Sequence, residues 1–174
     1  MSMKEELLEH AMAIALNEGV SAVTLDRVAE SAGVTKGGLL YHFRSKNELF
    51  REISRMGYDR YWFRIQERQE QGAELWEAML DFAIEFRAQI GPVYALLLQS
   101  CISDPKALET NRKGQLDLLH QLEKSGLSKQ QAFAFKVFVD GIVASASMGL
   151  PALSEEQGAS LQKAARQIVG KTCG

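Results

Sequence analysis

Helix-start signals recur through this chain and leave little room for any fold but an all-α one. Ser2 with Glu5, Ser45 with Glu48, Ser128 with Gln131 and Ser154 with Gln157 have the spacing of capping boxes. In such a box the first side chain accepts from a backbone N–H three residues on, and the second reaches back. Thr24 and Thr35 read as single N-caps. Asp104-Pro105 supplies a cap followed by proline at the first helical position, where a missing N–H is harmless. Between these signals apolar residues return at helical spacing, as in Leu8, Ala11, Met12, Ala15 and Leu16, or Leu75, Trp76, Met79, Phe82 and Phe86. Gly19, Gly33 and Gly72 read as stops, and Gly91-Pro92 as a stop followed by a fresh helix over 93–102. The pattern predicts about nine helices and no strand. Helices before Ser45 are short and those after it long, which predicts a division into 1–46 and 47–174.

Bulk properties narrow the function. The chain has 174 residues and a net charge of −2, so no overall field draws it to nucleic acid, and any DNA-binding surface must be a local patch. Two cysteines, Cys101 and Cys173, are too few and too far apart for a disulfide framework or a zinc site, which fits a reducing cytoplasm. His10, His42 and His120 are scattered and show no metal-ligand spacing. No phosphate loop, dinucleotide fingerprint or nucleophile elbow is present, so neither a cofactor nor an enzymatic activity is expected. The first residues lack the apolar run of a signal peptide, and no apolar stretch approaches the ~20 residues of a membrane helix. No membrane partner is expected.

The stretch 24–46, TLDRVAESAGVTKGGLLYHFRSK, carries the most information. It reads as two short helices, about 25–32 and 36–42, joined by a tight turn at Gly33, with Val28, Val34, Leu39 and Phe43 as a miniature core. The outer face of the second helix offers Thr35, Lys36, Gly37, Gly38, Tyr41 and His42. From 35 to 51 there are four cationic side chains, Lys36, Arg44, Lys46 and Arg51, against the single acid Glu48. That local excess makes sense opposite phosphates. Gly37-Gly38 admits two readings: close approach of backbone to DNA, or a loop with the helix starting only at Leu39.

The run GVTKGGLLYHFRSKNEL, with Thr24, Val28-Ala29 and Ala32-Gly33 upstream, resembles the tetracycline-repressor (TetR/AcrR) family of regulators over about residues 5–53. The resemblance implies a helix-turn-helix DNA-binding domain over 1–46 and a ligand-binding and dimerisation domain over 47–174. It implies that Thr35, Lys36, Gly37 and Gly38 face bases or adjacent phosphates, and that Thr24, Tyr41, His42 and Lys46 hold the DNA backbone. The expected function is sequence-specific transcriptional regulation: a homodimeric repressor on a palindromic operator, released by a small, largely apolar ligand. An activator, a ligand-independent regulator or a helical module that binds no DNA stays open from sequence.

Beyond the DNA-binding stretch, large apolar residues fit a core, and some of them fit a pocket. The candidate ligand residues are Tyr58, Trp62, Trp76, Phe86, Tyr94 and Cys101. The small-residue segment 141–148 and the stripe on the last helix make Ala144, Met148, Leu161, Ala164, Ala165 and Ile168 the candidate dimer interface, against the alternative of packing within one chain.

Overall fold

The computed structural model describes residues 2–170. Among them are nine α-helices and no strand. In order they are α1 (Met3–Glu18), α2 (Leu25–Ser31), α3 (Lys36–His42), α4 (Lys46–Glu70), α5 (Leu75–Glu85), α6 (Arg87–Ser103), α7 (Pro105–Lys124), α8 (Lys129–Ser147) and α9 (Glu155–Ile168), with a short 3-10 turn at Val20–Ala22. The local start signals operate as expected. Ser2, Ser128 and Ser154 close full capping boxes, and Thr24 and Thr35 accept from Arg27 and Gly38 N–H. At α4 the box is altered: Ser45 accepts from Glu48 N–H, while the Glu48 carboxylate takes the N–H of Arg44 at 2.7 Å.

Residues up to Asp59 form one compact unit together with Pro92–Leu108. Its core joins Leu7, Leu8 and Ala11 of α1, Val28 and Ala29 of α2, Leu39 of α3, Leu49, Phe50 and Ile53 of α4 and Leu96 of α6, around Phe43, which lies just past α3. The α2–α3 turn is fixed by Gly33, whose φ of +67° a side chain would strain. Its N–H donates to Glu30 and that of Val34 to Ala29, so the end of α2 is wrapped and α3 sets off at once. At the other side of this unit, the Arg51 guanidinium pairs with Asp104, which also caps α7 through Lys106 N–H. Arg51 holds the Asp104 carboxyl below its usual range, so this tie is complete at neutral pH and fades on acidification.

Arg60–Gly91 and the described residues from Glu109 onward form the second unit. Trp76 of α5 meets Phe135 of α8 edge to face, with ring centroids 6.2 Å apart. Arg87 is buried, and among the described residues no carboxylate pairs with it. Its guanidinium instead donates to the carbonyls of Ile142, Leu150 and Pro151 and to Ser145 Oγ, tying the start of α6 to the end of α8.

One sequence expectation fails here. Gly91-Pro92 does not end a helix; α6 runs through it from Arg87 to Ser103. The break falls earlier, at Phe86, whose φ of −101° and ψ of 14° leave the helical region. Pro92 then sits in the second turn of α6, and the residue whose carbonyl it deprives, Ala88, lies at the surface within reach of water. Gly91 is a packing residue. A methyl group there would lie 3.0 Å from Ala146 Cβ and 3.2 Å from backbone, and the Gly91 carbonyl accepts from Ser147 Oγ at 2.7 Å. Gly91→Ala should therefore destabilise the fold by about 1–3 kcal/mol, as overpacking does. Gly114→Ala, placed on α7 with open space around it, should stabilise by about 0.5–1 kcal/mol. Urea unfolding of the two variants checks both signs.

Candidate nucleic-acid interface

Helix α3 has two unlike faces. Leu39 is fully buried, and so is Phe43 just past the helix end, which anchors α3 to the core. The other side carries Lys36, Gly37, Gly38 and Tyr41, all exposed, with Tyr41 at 85%. Gly37 and Gly38 lie within the helix, not in a loop. Neither has positive φ, and a Cβ at either would meet only the Thr35 hydroxyl, at 3.9 and 3.4 Å. Backbone geometry and packing inside the chain therefore give no reason for glycine at these two positions. Glycine costs a helix about 0.5–1 kcal/mol relative to alanine. The gain must come from outside: with no side chain, the backbone of α3 can come close to whatever it faces.

The charges around this face sort into used and unused. Arg27 is bound by Glu18 at 2.8 Å and Glu30 at 3.3 Å, Lys4 by Glu52 at 2.6 Å, and Arg51 by Asp104. Lys36 is bound by Asp26. Among the described residues, no carboxylate pairs with the side chain of Arg44 or Lys46. Lys46 lies over the Phe50 ring, its Nζ 5.0 Å from the centroid, which positions it at the start of α4 without neutralising it. His42 is half-buried and meets Tyr41 edge to face at 5.1 Å. Two free cations, an exposed phenol and an imidazole thus follow the glycine pair along the chain, between positions 41 and 46. All can donate to phosphate oxygens.

Comparison with known proteins agrees with this geometry. The model of the family "Bacterial regulatory proteins, tetR family" matches residues 7–53, from α1 into α4. Staphylococcus aureus IcaR, a negative transcriptional regulator of the biofilm operon icaADBC, is 27% identical over 130 residues, which are 75% of this chain and 68% of that protein. Residues 7–53 are thus similar to the DNA-binding region of tetR-family regulators. The fold of the chain extends the likeness beyond the matched region. A transcriptional regulator from Rhodococcus sp. Rha1 superposes with a TM-score of 0.79 at 23% identity, covering 97% of this chain and 95% of that one. The multidrug binding protein EbrR, solved with malachite green, does so with a TM-score of 0.70 at 15% identity, covering 97% and 99%. Within this tetR-like region the α3 face is accordingly the candidate DNA-reading surface.

The candidate ligand residues of the regulator are divided between the two units. Tyr58, Tyr94 and Cys101 belong to the first, and Trp62, Trp76 and Phe86 to the second. Trp76 is 3% exposed, and its indole N–H donates to Glu74 at 2.9 Å. Phe86 stacks on Phe82 with centroids 5.0 Å apart, and Tyr61 meets Phe82 edge-on. Phe82 and Phe86 border a cleft of about 190 Å³ between α4 and α5, whose other lining residues are Arg64, Glu67, Arg68, Gln71 and Glu85. The cleft is smaller than the ~300–1,000 Å³ usual for drug-sized ligands. Its charges are satisfied among themselves, Arg64 by Glu67 and Arg68 by Glu85 and Asp81. Burial pushes the Cys101 thiol up, away from the thiolate a redox sensor needs.

On the candidate dimer face, Met148 is 74% exposed, and Ala144, Leu161, Ala164 and Ile168 are half-buried. Ala165 needs a correction: it is completely buried within its own chain, one helix position round from Ala164, and offers nothing to a partner. Two further residues, indistinguishable from core residues by their sequence alone, extend this candidate face. Phe133 and Val137 are 61% and 53% exposed and continue the Gly141–Ala144–Met148 stripe of α8 backwards at helical spacing. That spacing was the available signal, but Phe133 is as apolar as its buried neighbour Phe135.

Proposed function

We propose that this regulator is a cytoplasmic homodimeric repressor that binds an inverted-repeat operator through α3 and leaves it when a small, largely apolar effector binds. The observation that carries the DNA-reading part is the Gly37-Gly38 pair: exposed, helical, and without a role inside the chain. Thr35, Lys36, Gly37 and Gly38 then face base edges or adjacent phosphates, and Thr24, Tyr41, His42 and Lys46 fix the backbone. The exposed apolar stripe of α8, with α9, supports dimerisation, because such faces on a monomer mark contacts. IcaR, as a negative regulator, supports repression; EbrR, seen with malachite green, supports an effector.

Within the first unit, Ser100 Oγ is buried with no hydrogen-bond partner. Buried polar groups rarely stay unpaired, so Ser100 is the group that an effector's polar atom would satisfy. The effector acts only if it binds the released form more tightly than the DNA-bound form. A coupling of about 1–3 kcal/mol would lower operator affinity roughly 5- to 150-fold, and operator would weaken effector binding equally.

Lys46→Ala tests the DNA-reading part. As a phosphate contact, it should weaken binding to every duplex about equally and flatten the salt slope by about 0.9 for each subunit bound. Fluorescence anisotropy over a salt series reads both. Wild-type affinity and slope in the variant would remove α3 and its border as the DNA surface.

A further inference from the structure

Asp26 stands beside the proposed DNA-reading helix, in the first turn of α2, where an exposed acid contributes only about 0.3–1 kcal/mol to the helix. Asp26 reaches across to Lys36, the first residue of α3. The ammonium lies 2.9 Å from Oδ1 and 3.0 Å from Oδ2. The two side chains are 57% and 69% exposed, and a pair so exposed contributes little to stability, about 0–1 kcal/mol. A carboxylate also raises the cost of approaching a polyanion. Lys36 is next to Gly37-Gly38, and it differs from the two free cations nearby. Among the described residues Arg44 and Lys46 have no carboxylate partner, whereas Lys36 is gripped by both oxygens of a carboxylate from the neighbouring helix.

We propose that Asp26 is a specificity-determining residue, which holds the Lys36 ammonium at the start of α3 and keeps it from the phosphates. This inference rests on α3 being the DNA-reading helix. A lysine is a hydrated point charge on a flexible stem, and unrestrained it finds a phosphate on any sequence. Held by Asp26, it contributes binding only where a base edge supplies an acceptor at that place, such as guanine O6 or N7. The Asp26 charge meanwhile penalises every duplex that offers no such acceptor. The pair trades non-specific affinity for discrimination, a repulsive element set beside an attractive one.

The test is Asp26→Asn in the full-length protein, with binding to a selected operator and to a random duplex measured over a salt series. Asparagine keeps the shape and the helix position and removes the charge. Binding to random duplex should tighten by up to about fivefold at 0.1 M salt for each Lys36 released, and its salt slope should steepen by about 0.9 per subunit. Operator affinity should change less, so the ratio of the two affinities falls by up to about fivefold per subunit. Adding Lys36→Ala to Asp26→Asn should remove most of the gain on random duplex and all of the steeper slope, leaving only the part due to the lost Asp26 charge. Retention of the whole gain in the double variant would assign it to simple charge repulsion and overturn the holding role. An unchanged slope and ratio in Asp26→Asn, with Lys46→Ala still flattening the slope, would overturn the inference while leaving the DNA surface in place. If Lys46→Ala also changes nothing, the surface itself is wrong and this inference falls with it. Asp26→Ser serves as a second variant should Asp26→Asn fold poorly, with thermal melting as the check on both.

Discussion

Alanine at both Gly37 and Gly38 makes the protein more stable and disables its binding to DNA. The two effects have separate causes. In α3 both residues have helical backbone, and an added methyl group meets nothing closer than the Thr35 hydroxyl, at 3.4 Å from position 38. Each substitution should therefore add about 0.5–1 kcal/mol through the helix preference for alanine. In the proposed complex the same methyl groups stand where the backbone of α3 approaches the groove. Holding the helix off costs base contacts worth about 1–3 kcal/mol at each half-site. For two half-sites that is about 2–6 kcal/mol, or roughly 30-fold or more in operator affinity. Chemical denaturation and anisotropy on one preparation read the two signs. A variant that is more stable and binds normally would show that the glycine pair has nothing to do with DNA.

Aspartate at Phe133 and Val137 should give a folded monomer that hardly binds operator. Both side chains are more than half exposed in the single chain, so the substitutions cost its core little. Against a partner they would place two unpaired charges in an apolar contact, repeated by symmetry. A monomer carries one DNA-reading head. Losing the linked second head should lower operator affinity by about 100- to 10,000-fold, since bivalent attachment is worth that much. Sedimentation velocity follows the dimer and a gel shift follows the operator. A dimer that survives both aspartates would take α8 out of the interface. A monomer that keeps full operator affinity would remove the need for two heads.

Local chemistry made most of the fold legible. Thr24, Thr35, Ser128 and Ser154 act on backbone N–H groups within three residues of themselves, so their effect needs no knowledge of the tertiary structure. The α3 boundaries and the Gly33 turn were readable for the same reason. Gly91-Pro92 was not. Whether proline ends a helix or rides within it depends on what the deprived carbonyl faces, and Gly91 is there because Ala146, 55 positions away, packs against it. The candidate DNA-facing residues Lys36, Gly37, Gly38, Tyr41 and His42 could be grouped because they share one short helix. Their electrostatic sorting was not legible, because the carboxylates of Glu18, Glu52 and Asp104 come from other helices or segments distant in sequence. The pocket and the dimer face depend on burial, which made a core residue of Ala165 and a surface residue of Phe133 from equally apolar sequence.

Selection of bound duplexes from a random pool by the wild-type protein tests the account most directly. Two copies related by a two-fold axis and reading through α3 predict an enriched inverted repeat, with half-site centres about one helical turn apart or slightly more. A direct repeat, an isolated half-site or no enrichment over the starting pool would contradict it.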